Sequence, residues 1–265
     1  QFVDVGRSLG VDLYGTTRQA SFIDYDNDGD TDFFVAFRDR PNALFRNDGG
    51  LSFTQTTLTT LDTTDVKFVD LDKDGDLDIV ALRPTQIMTW MNNGSGTMSA
   101  GPTTSIPALL GTGGYTSELS IGLINGDTFP DLCYASGNSQ LGGCVYAALN
   151  NGAGGFTVTA SQTSGMGSSF YGVNSLTMLK IDADSVWDVA AAASYYSGQQ
   201  PHLRTSLMSS GGTFGTWTNT GLNSPSWGGA SSVRAGNFLN QSGPCVVVTT
   251  IVDPPDSGGV GGETL

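Results

Sequence analysis

The chain has little histidine, cysteine and positive charge, and these shortages exclude several classes of function. His202 is the only histidine among 265 residues, so one chain cannot build a site on two imidazoles. A catalytic nucleophile needs a base and an orienting group beside it. The sequence has neither a Gly-x-Ser-x-Gly motif nor a Cys/His metal cluster, and its scattered carboxylates show no glycosidase-like pairing. We therefore expect a protein that is not an enzyme.

The charge balance and the hydropathy pattern exclude two kinds of partner. Lys and Arg number 11 against 25 Asp and Glu, which gives a net charge of −14, whereas nucleic-acid binding needs a basic face. No apolar run approaches the roughly 18 residues of a membrane-spanning helix. The nearest candidate, residues 186–196, is short and contains Asp188. We expect neither nucleic-acid binding nor a membrane span.

Cysteines and glycosylation sequons bear on the compartment. Cys133 and Cys144 lie eleven residues apart around a glycine-rich turn, a spacing that allows a cross-strand disulfide, which leaves Cys245 as a buried free thiol or a link to another chain. Asn93 and Asn240 each begin an Asn-x-Ser sequon. The first residue is glutamine, which fits a processed product, although a piece of a longer multidomain protein would look the same. We expect a secreted, extracellular protein.

Glycine and short apolar runs are abundant. The sequence has 37 glycines, and short or alternating apolar runs separated by Gly, Asn, Asp and Ser occur along its whole length. This pattern is typical of β-strands joined by tight turns, and no long stretch shows helical periodicity. The sequence predicts an all-β fold.

Two acidic nonapeptides, residues 24–32 and 70–78, carry aspartate at alternate positions and glycine at the sixth. Clustered carboxylates repel one another unless a cation lies among them, and alternating oxygen ligands around a sharp glycine turn suit calcium. Strand-like apolar runs flank each loop, and aspartate holds the ninth position, whereas an EF-hand has flanking helices and a twelfth-position glutamate. We predict two calcium loops, each inside a β-hairpin. Their aspartates are Asp24, Asp26, Asp28, Asp30, Asp32, Asp70, Asp72, Asp74, Asp76 and Asp78.

The acidic loop marks an internal repeat. Its ninth position recurs at Asp32, Asp78, Asp131, Asp188 and, in degenerate form, Cys245, at intervals of 46, 53, 57 and 57 residues. In the first four units a glycine turn and another apolar residue follow. One unit therefore reads strand, acidic loop, strand, loop, strand, glycine turn, strand, which is the pattern of a propeller blade. The units cover about 20–58, 64–101, 118–160, 174–218 and 231–265.

The fifth unit lacks a fourth strand, and the N-terminal residues offer one. Phe2 precedes the first acidic loop by 22 residues, much as Phe53 precedes the second by 17. We predict that residues 1–7 supply the outer strand of the last blade, because pairing the two chain ends leaves no open sheet edge. The expected fold is a single β-propeller domain over 1–265 with five four-stranded blades, the last closed by the N-terminal strand.

These repeats resemble the FG-GAP/VCBS repeats of the integrin α-subunit head and of many secreted bacterial and fungal propellers. The match is specific in the first two repeats and loose in the others. The resemblance implies calcium held by side chains at loop positions one, three, five and nine and by the main-chain carbonyl at position seven. The implied side-chain ligands are Asp24, Asp26, Asp28 and Asp32 in site one and Asp70, Asp72, Asp74 and Asp78 in site two, with the carbonyls of Asp30 and Asp76.

The third and fourth loops depart from this pattern. Leu123 and Lys180 hold their first positions. The Lys180 ammonium is expected to neutralise the carboxylates of its own loop, so that no ion is needed there. We therefore expect two calcium ions and no third.

The expected function is non-enzymatic recognition or adhesion outside the cell, with a glycan or a protein as ligand. Trp227 lies in a predicted interblade loop and is the candidate ligand-binding aromatic, whereas the other tryptophans fall at strand positions. An alternative is a structural subunit of an extracellular filament or surface coat, assembled by strand exchange or by propeller-propeller contacts. The composition, poor in charge and rich in Gly, Ser and Thr, and an N-terminal strand able to complete a neighbouring copy favour that alternative.

Overall fold

The computed structural model describes residues 3–58, 62–107, 118–138, 142–162, 170–195, 203–220, 228–236 and 245–252. Within these ranges the backbone forms strands, turns and irregular segments without any helix, so no described helix is long and apolar enough to cross a membrane. The chain divides into two compact units. The first is Gln1–Ser105 with Ala153–Gly155, and the second is Ile106–Gly152 with Phe156–Leu265.

The first unit contains two four-stranded antiparallel sheets. The strands of the first sheet, which lie in chain order, are β1 (Thr17–Ile23), β2 (Asp32–Phe37), β3 (Asn42–Asn47) and β4 (Phe53–Leu58). Those of the second are β5 (Asp65–Val69), β6 (Asp78–Arg83), β7 (Gln86–Asn92) and β8 (Met98–Ser105). Alternate residues along the strands point to one shared core, as strand geometry requires. This core includes Phe34, Ala36, Leu44, Val66, Ile79, Ala81 and Trp90.

The second unit contains the remaining strands. The third sheet consists of β9 (Leu119–Gly122), β10 (Asp131–Asn138), β11 (Gly142–Asn150) and β12 (Phe156–Gln162). The fourth consists of β13 (Phe170–Leu179), β14 (Asp188–Tyr195), β15 (Leu203–Ser206) and the two-residue β16 (Thr218–Asn219). A further hairpin, β17 (Gly228–Gly236) and β18 (Cys245–Val252), joins β14 through the single pair Ser194↔Gly229.

The order of elements within each sequence repeat matches the prediction in all four sheets. Each acidic loop connects the first strand to the second, and a glycine turn precedes the fourth. The all-β fold is confirmed, and repeated four-stranded antiparallel sheets are consistent with a propeller-like fold.

The predicted N-terminal strand does not form. Val3–Val5 belongs to no strand, because the chain turns back immediately: the amide of Leu9 and the hydroxyl of Ser8 both donate to the carbonyl of Val5. That carbonyl is therefore engaged in a local turn instead of a sheet ladder. Farther along, Val11 and Leu13 pack against one face of the first sheet.

The predicted disulfide between Cys133 and Cys144 is also wrong, and the strand register gives the reason. Cys133 pairs with Ala147 and Cys144 with Ser136, so the two cysteines lie three residues apart along the β10–β11 ladder. Side chains alternate between faces along a strand, so an odd offset places the two on opposite faces of the sheet. Both are buried free thiols, and Cys245 is a half-buried free thiol.

Candidate metal centres

The two complete acidic loops have the same backbone path. Their fourth and sixth positions adopt positive φ: 59° at Asn27 and 92° at Gly29 in the first loop, 67° at Lys73 and 100° at Gly75 in the second. Glycine adopts this conformation without a Cβ penalty, which explains its place at the sixth position. The tight turn brings the alternating aspartates together.

The first loop gathers Asp24, Asp26 and Asp28, with one carboxylate oxygen from each lying within 4.8 Å of the others. The Asp26 side chain is only 9% exposed. The Oδ1 atoms of Asp24 and Asp26 are buried and have no hydrogen-bond partner in the described part of the chain. A buried charged oxygen without a partner is costly. Calcium ligands lie 2.3–2.6 Å from the ion and so up to about 5 Å apart, which means this group fits calcium.

The charge around Asp26 is only partly balanced by the protein itself. The nearest cation is Arg46, whose Nε lies 4.0 Å from Asp26 Oδ2 but only 2.7 Å from Asp48 Oδ1. Burial, and after it the neighbouring Asp28 carboxylate, raises the pKa of Asp26. Both effects oppose the ionised form, and a bound cation would reverse them.

The second loop gathers Asp70, Asp72 and Asp78 in the same way, with their oxygens within 4.8 Å. Burial raises the pKa of Asp78 to about 6 and also raises the pKa of Asp72. Both oxygens of Asp70 accept backbone amides inside the loop, from Lys73 at 2.7 Å and Gly75 at 3.2 Å. This second group therefore also fits a calcium ion, with carboxylates that the turn itself positions.

The aspartate at the ninth loop position is fully buried in all four sheets and accepts at least two backbone amides. These residues are Asp32, Asp78, Asp131 and Asp188. One oxygen accepts from the second loop residue, at 3.0, 2.9, 2.7 and 2.8 Å in chain order. The other accepts from the end of the third strand or just beyond it, at 2.7, 2.8, 2.9 and 2.9 Å. The ninth aspartate thus clamps the acidic loop to the third strand.

The carboxylate groups differ from the ligand sets that the resemblance implied. Asp32 is not a member of the first group, whereas Asp78, which accepts the same two backbone amides in its own sheet, is a member of the second. Asp74 is not a member of the second group and instead accepts the amide of Asp76. A signal for the clamp was present in the sequence, since Asp131 and Asp188 persist in loops that lack a carboxylate at the first position. The main-chain roles of Asp30 and Asp76 stay predictions.

The third and fourth loops bring no carboxylate group together among the described residues. Asn125 donates to Asp127 at 2.7 Å, so an amide stands where the complete loops carry a carboxylate. Lys180 forms no ion pair with Asp182 or Asp184, all three of which the structure describes, and its side chain is exposed. The expected neutralisation by lysine is therefore wrong.

The other candidate residues lie apart from these loops. Asn93 is exposed on the glycine turn after β7, where its Oδ1 accepts the amides of Ser95 and Thr97 at 3.1 and 3.2 Å. Asn240 and Trp227 lie outside the described residues. Sequence reasoning missed Asn92, the last residue of β7, whose buried side chain contacts the first acidic loop.

Comparison with known proteins agrees with this geometry. A sequence model of the FG-GAP-like repeat matches residues 24–81, which contain both complete acidic loops. No curated protein matches the chain in sequence. A solved Agrocybe aegerita lectin, described by its specific recognition of non-reducing terminal N-acetylglucosamine, matches with a TM-score of 0.52 and 18% identity. That match covers 93% of this chain and 65% of the lectin chain, so the chain spans about two thirds of the lectin's length.

The pore of the Photorhabdus luminescens Tc holotoxin also matches, over 89% of this chain and 11% of the toxin chain, with 17% identity and a TM-score of 0.45. That score is too low to bear on the fold. The likeness to the lectin shows the fold alone. The predicted resemblance is confirmed for the segment that carries the acidic loops, since residues 24–81 match the FG-GAP-like repeat.

Proposed function

We propose that the chain is a secreted, calcium-stabilised recognition module that is not an enzyme. The observation that supports calcium most directly is the pair of buried Oδ1 atoms of Asp24 and Asp26 without hydrogen-bond partners. The fold shared with a lectin supports recognition as the class of function. Calcium loops of this kind suit the millimolar calcium outside cells, which supports the extracellular assignment.

Two ions would be held by the carboxylate groups of the two complete acidic loops. Asp24, Asp26 and Asp28 would hold the first, and Asp70, Asp72 and Asp78 the second. Calcium supplies positive charge that the surrounding residues provide only in part. The ion would hold the aspartates of the loop together, and the ninth aspartate fixes the loop to the third strand. Calcium would therefore act on the stability and the shape of the loop.

Propeller closure belongs to the same proposal. The hairpin β17–β18 follows the fourth sheet in the chain and pairs with its strand β14, as the first two strands of a fifth blade would require. Five blades would leave a surface of interblade loops for a ligand, and the Trp227 loop is one of them.

Binding to an array of glycans tests the recognition proposal, with glycans ending in N-acetylglucosamine as the first probes. We expect binding in calcium that Trp227→Ala abolishes. Tyr14→Ala is the control, because Tyr14 is an exposed aromatic, at 76%, far from Trp227 in the sequence. If the folded, calcium-loaded protein binds no glycan, the glycan reading fails, and capture of purified extracellular proteins becomes the remaining test of recognition.

A filament subunit is the second candidate, and the N-terminal segment favours it. Val3 and Val5 are 74% and 48% exposed and lie outside any strand, so this segment would pair with a neighbouring copy once the local turn at Val5 opens. Light scattering and electron microscopy should then show regular filaments that Val3→Asp disperses. Discrete 27.5 kDa particles at every concentration would contradict this candidate.

A further inference from the structure

The two acidic loops are joined by the side chain of Asn92. Its backbone amide donates to Asp78 Oδ1 at 2.8 Å, and Asp78 belongs to the second carboxylate group. Its side-chain Nδ2 donates to the carbonyl of Tyr25 at 2.6 Å, and Tyr25 stands between Asp24 and Asp26 of the first group. Asn92 is 5% exposed, so this bridge is shielded from water.

A second set of contacts joins the same loops at their surface. Asn27 Nδ2 in the first loop donates to Asp76 Oδ1 in the second at 3.1 Å. The glycine turn after β7 also packs against the first loop, where a Cβ added at Gly96 would lie 3.0 Å from Asp26 Cβ. The first loop therefore rests on the second loop and on the turn that Asn92 begins.

Asn47 makes no such bridge in the described part of the chain. It occupies the equivalent position at the end of β3, and its amide donates to Asp32 Oδ1 at 2.7 Å, as Asn92 does to Asp78. Its side chain donates to the carbonyl of Thr31 at 3.2 Å, within its own sheet. Asn92 makes the matching bond to Leu77 and adds the one to Tyr25.

We infer that the two calcium loops form one coupled unit, in which an ion at either site favours binding at the other through Asn92 and Asn27. This inference rests on the proposed calcium binding. An ion in the second group holds Asp78, and with it Asn92, in place. Asn92 then fixes the Tyr25 carbonyl, so the first loop loses less conformational freedom when its own ion binds. Coupling of this kind is reciprocal, because each ligand changes the affinity for the other by the same factor.

Calorimetric titration of the intact chain with calcium tests the coupling. Asp28→Asn disables the first site and Asp72→Asn the second, because each residue belongs to the carboxylate group of its own loop. We expect the affinity of the second site to fall when the first is disabled, by a factor within the roughly 5- to 150-fold range of typical allosteric coupling. Asn92→Ala should remove this dependence and leave two independent sites, whereas the matched Asn47→Ala should retain it.

Asn27→Gly provides a second route that avoids the buried position, because Asn27 is exposed and glycine tolerates its φ of 59°. We expect it to reduce the coupling in part. Two calcium ions binding independently to the unmodified chain would overturn the inference while leaving the proposed calcium binding in place. Failure of the unmodified chain to bind calcium would overturn both.

Discussion

At the scale of single residues, the most informative side chain is the ninth aspartate of each acidic loop. It is fully buried in all four sheets, and its two oxygens accept backbone amides from two different segments. A carboxylate can accept several hydrogen bonds at once and is well suited to a crossing of two backbone segments. Its role is therefore structural in every unit, whether or not the loop carries the other carboxylates.

The clamp predicts that Asp131→Asn destabilises the protein to the same extent with and without calcium. An amide can replace one acceptor but presents its NH₂ group to the other donor, so we expect a loss of roughly 1–3 kcal/mol in the free energy of unfolding. Urea unfolding in calcium and in chelator measures it. Asp127→Asn, at an exposed position of the same loop, is the control and should have a smaller effect. A loss seen only in calcium would mean that Asp131 acts as a metal ligand.

The buried carboxyls also predict an unusual pH dependence. The pKa of Asp78 is about 6 in the folded protein against an ordinary value of 3.8, and burial raises the pKa of Asp26, Asp32 and Asp72 as well. Between the ordinary pKa of 3.8 and the raised pKa of about 6, the folded state binds more protons than the unfolded state. The free energy of unfolding of the calcium-free protein should therefore fall as the pH rises from about 4 to about 6.

Denaturant unfolding in chelator at pH 4.5 and 6.5 tests this sign. Calcium should weaken or reverse the trend, because the ion favours the ionised carboxylates and competes with protons for them. If stability instead increases between pH 4.5 and 6.5 in chelator, the pKa values of these carboxyls are not raised in the folded protein.

At the scale of elements, side chains on the first strands connect neighbouring sheets within each unit. Gln19 of β1 accepts the amide of Val66 at 3.0 Å and donates to its carbonyl at 2.9 Å, so one glutamine extends the hydrogen bonding of β1 to β5. In the second unit, Ser175 of β13 exchanges the same two bonds with Val233 of β17, at 3.1 and 3.3 Å. Glu118, just before β9, accepts the amide of Leu176 at 3.0 Å.

Gln19→Ala should therefore loosen the contact between the first two sheets. Two hydrogen bonds are lost, and the Val66 carbonyl loses its Gln19 donor while the Val66 amide keeps Asp65 Oδ1 at 2.8 Å, so we expect a loss of roughly 1–3 kcal/mol. Gln55→Ala removes a glutamine of the same size from an exposed position on β4 and should change stability little. Thermal unfolding of both variants makes the comparison. Equal effects would show that Gln19 contributes no more to the free energy of unfolding than an exposed glutamine does.

At the scale of the whole molecule, we expect the two units to differ in their dependence on calcium. Both carboxylate groups lie in the first unit, whereas the described loops of the second unit hold their shape through the ninth aspartate and local amide bonds. The two units should therefore respond differently to chelation. Calcium at 100 times its dissociation constant would stabilise the folded state by about 2.7 kcal/mol per site.

Hydrogen exchange in excess chelator can resolve this difference. We expect β1–β8 to lose protection while β9–β15 keep most of theirs, together with a lower melting temperature. Asp28→Asn in calcium should reproduce part of the change. An unchanged melting temperature and unchanged exchange in chelator would contradict two-site calcium binding.

The sequence by itself determined the all-β class, the strand order within a unit and the position of both acidic loops. These features depend on local patterns: alternating apolar residues, glycine at turns and aspartates two residues apart, all within a dozen residues of one another. The family resemblance of residues 24–81 rested on the same local spacing.

Only the tertiary structure decided which residues meet across strands and loops. Ladder register places Cys133 and Cys144 on opposite faces, which their spacing of eleven residues did not show. The chain turns at Val5 where a strand was expected, and Asn92 reaches Tyr25 from 67 residues away. Contacts between distant segments depend on register and packing, and a shift of one residue reverses every side chain, so local patterns cannot fix them.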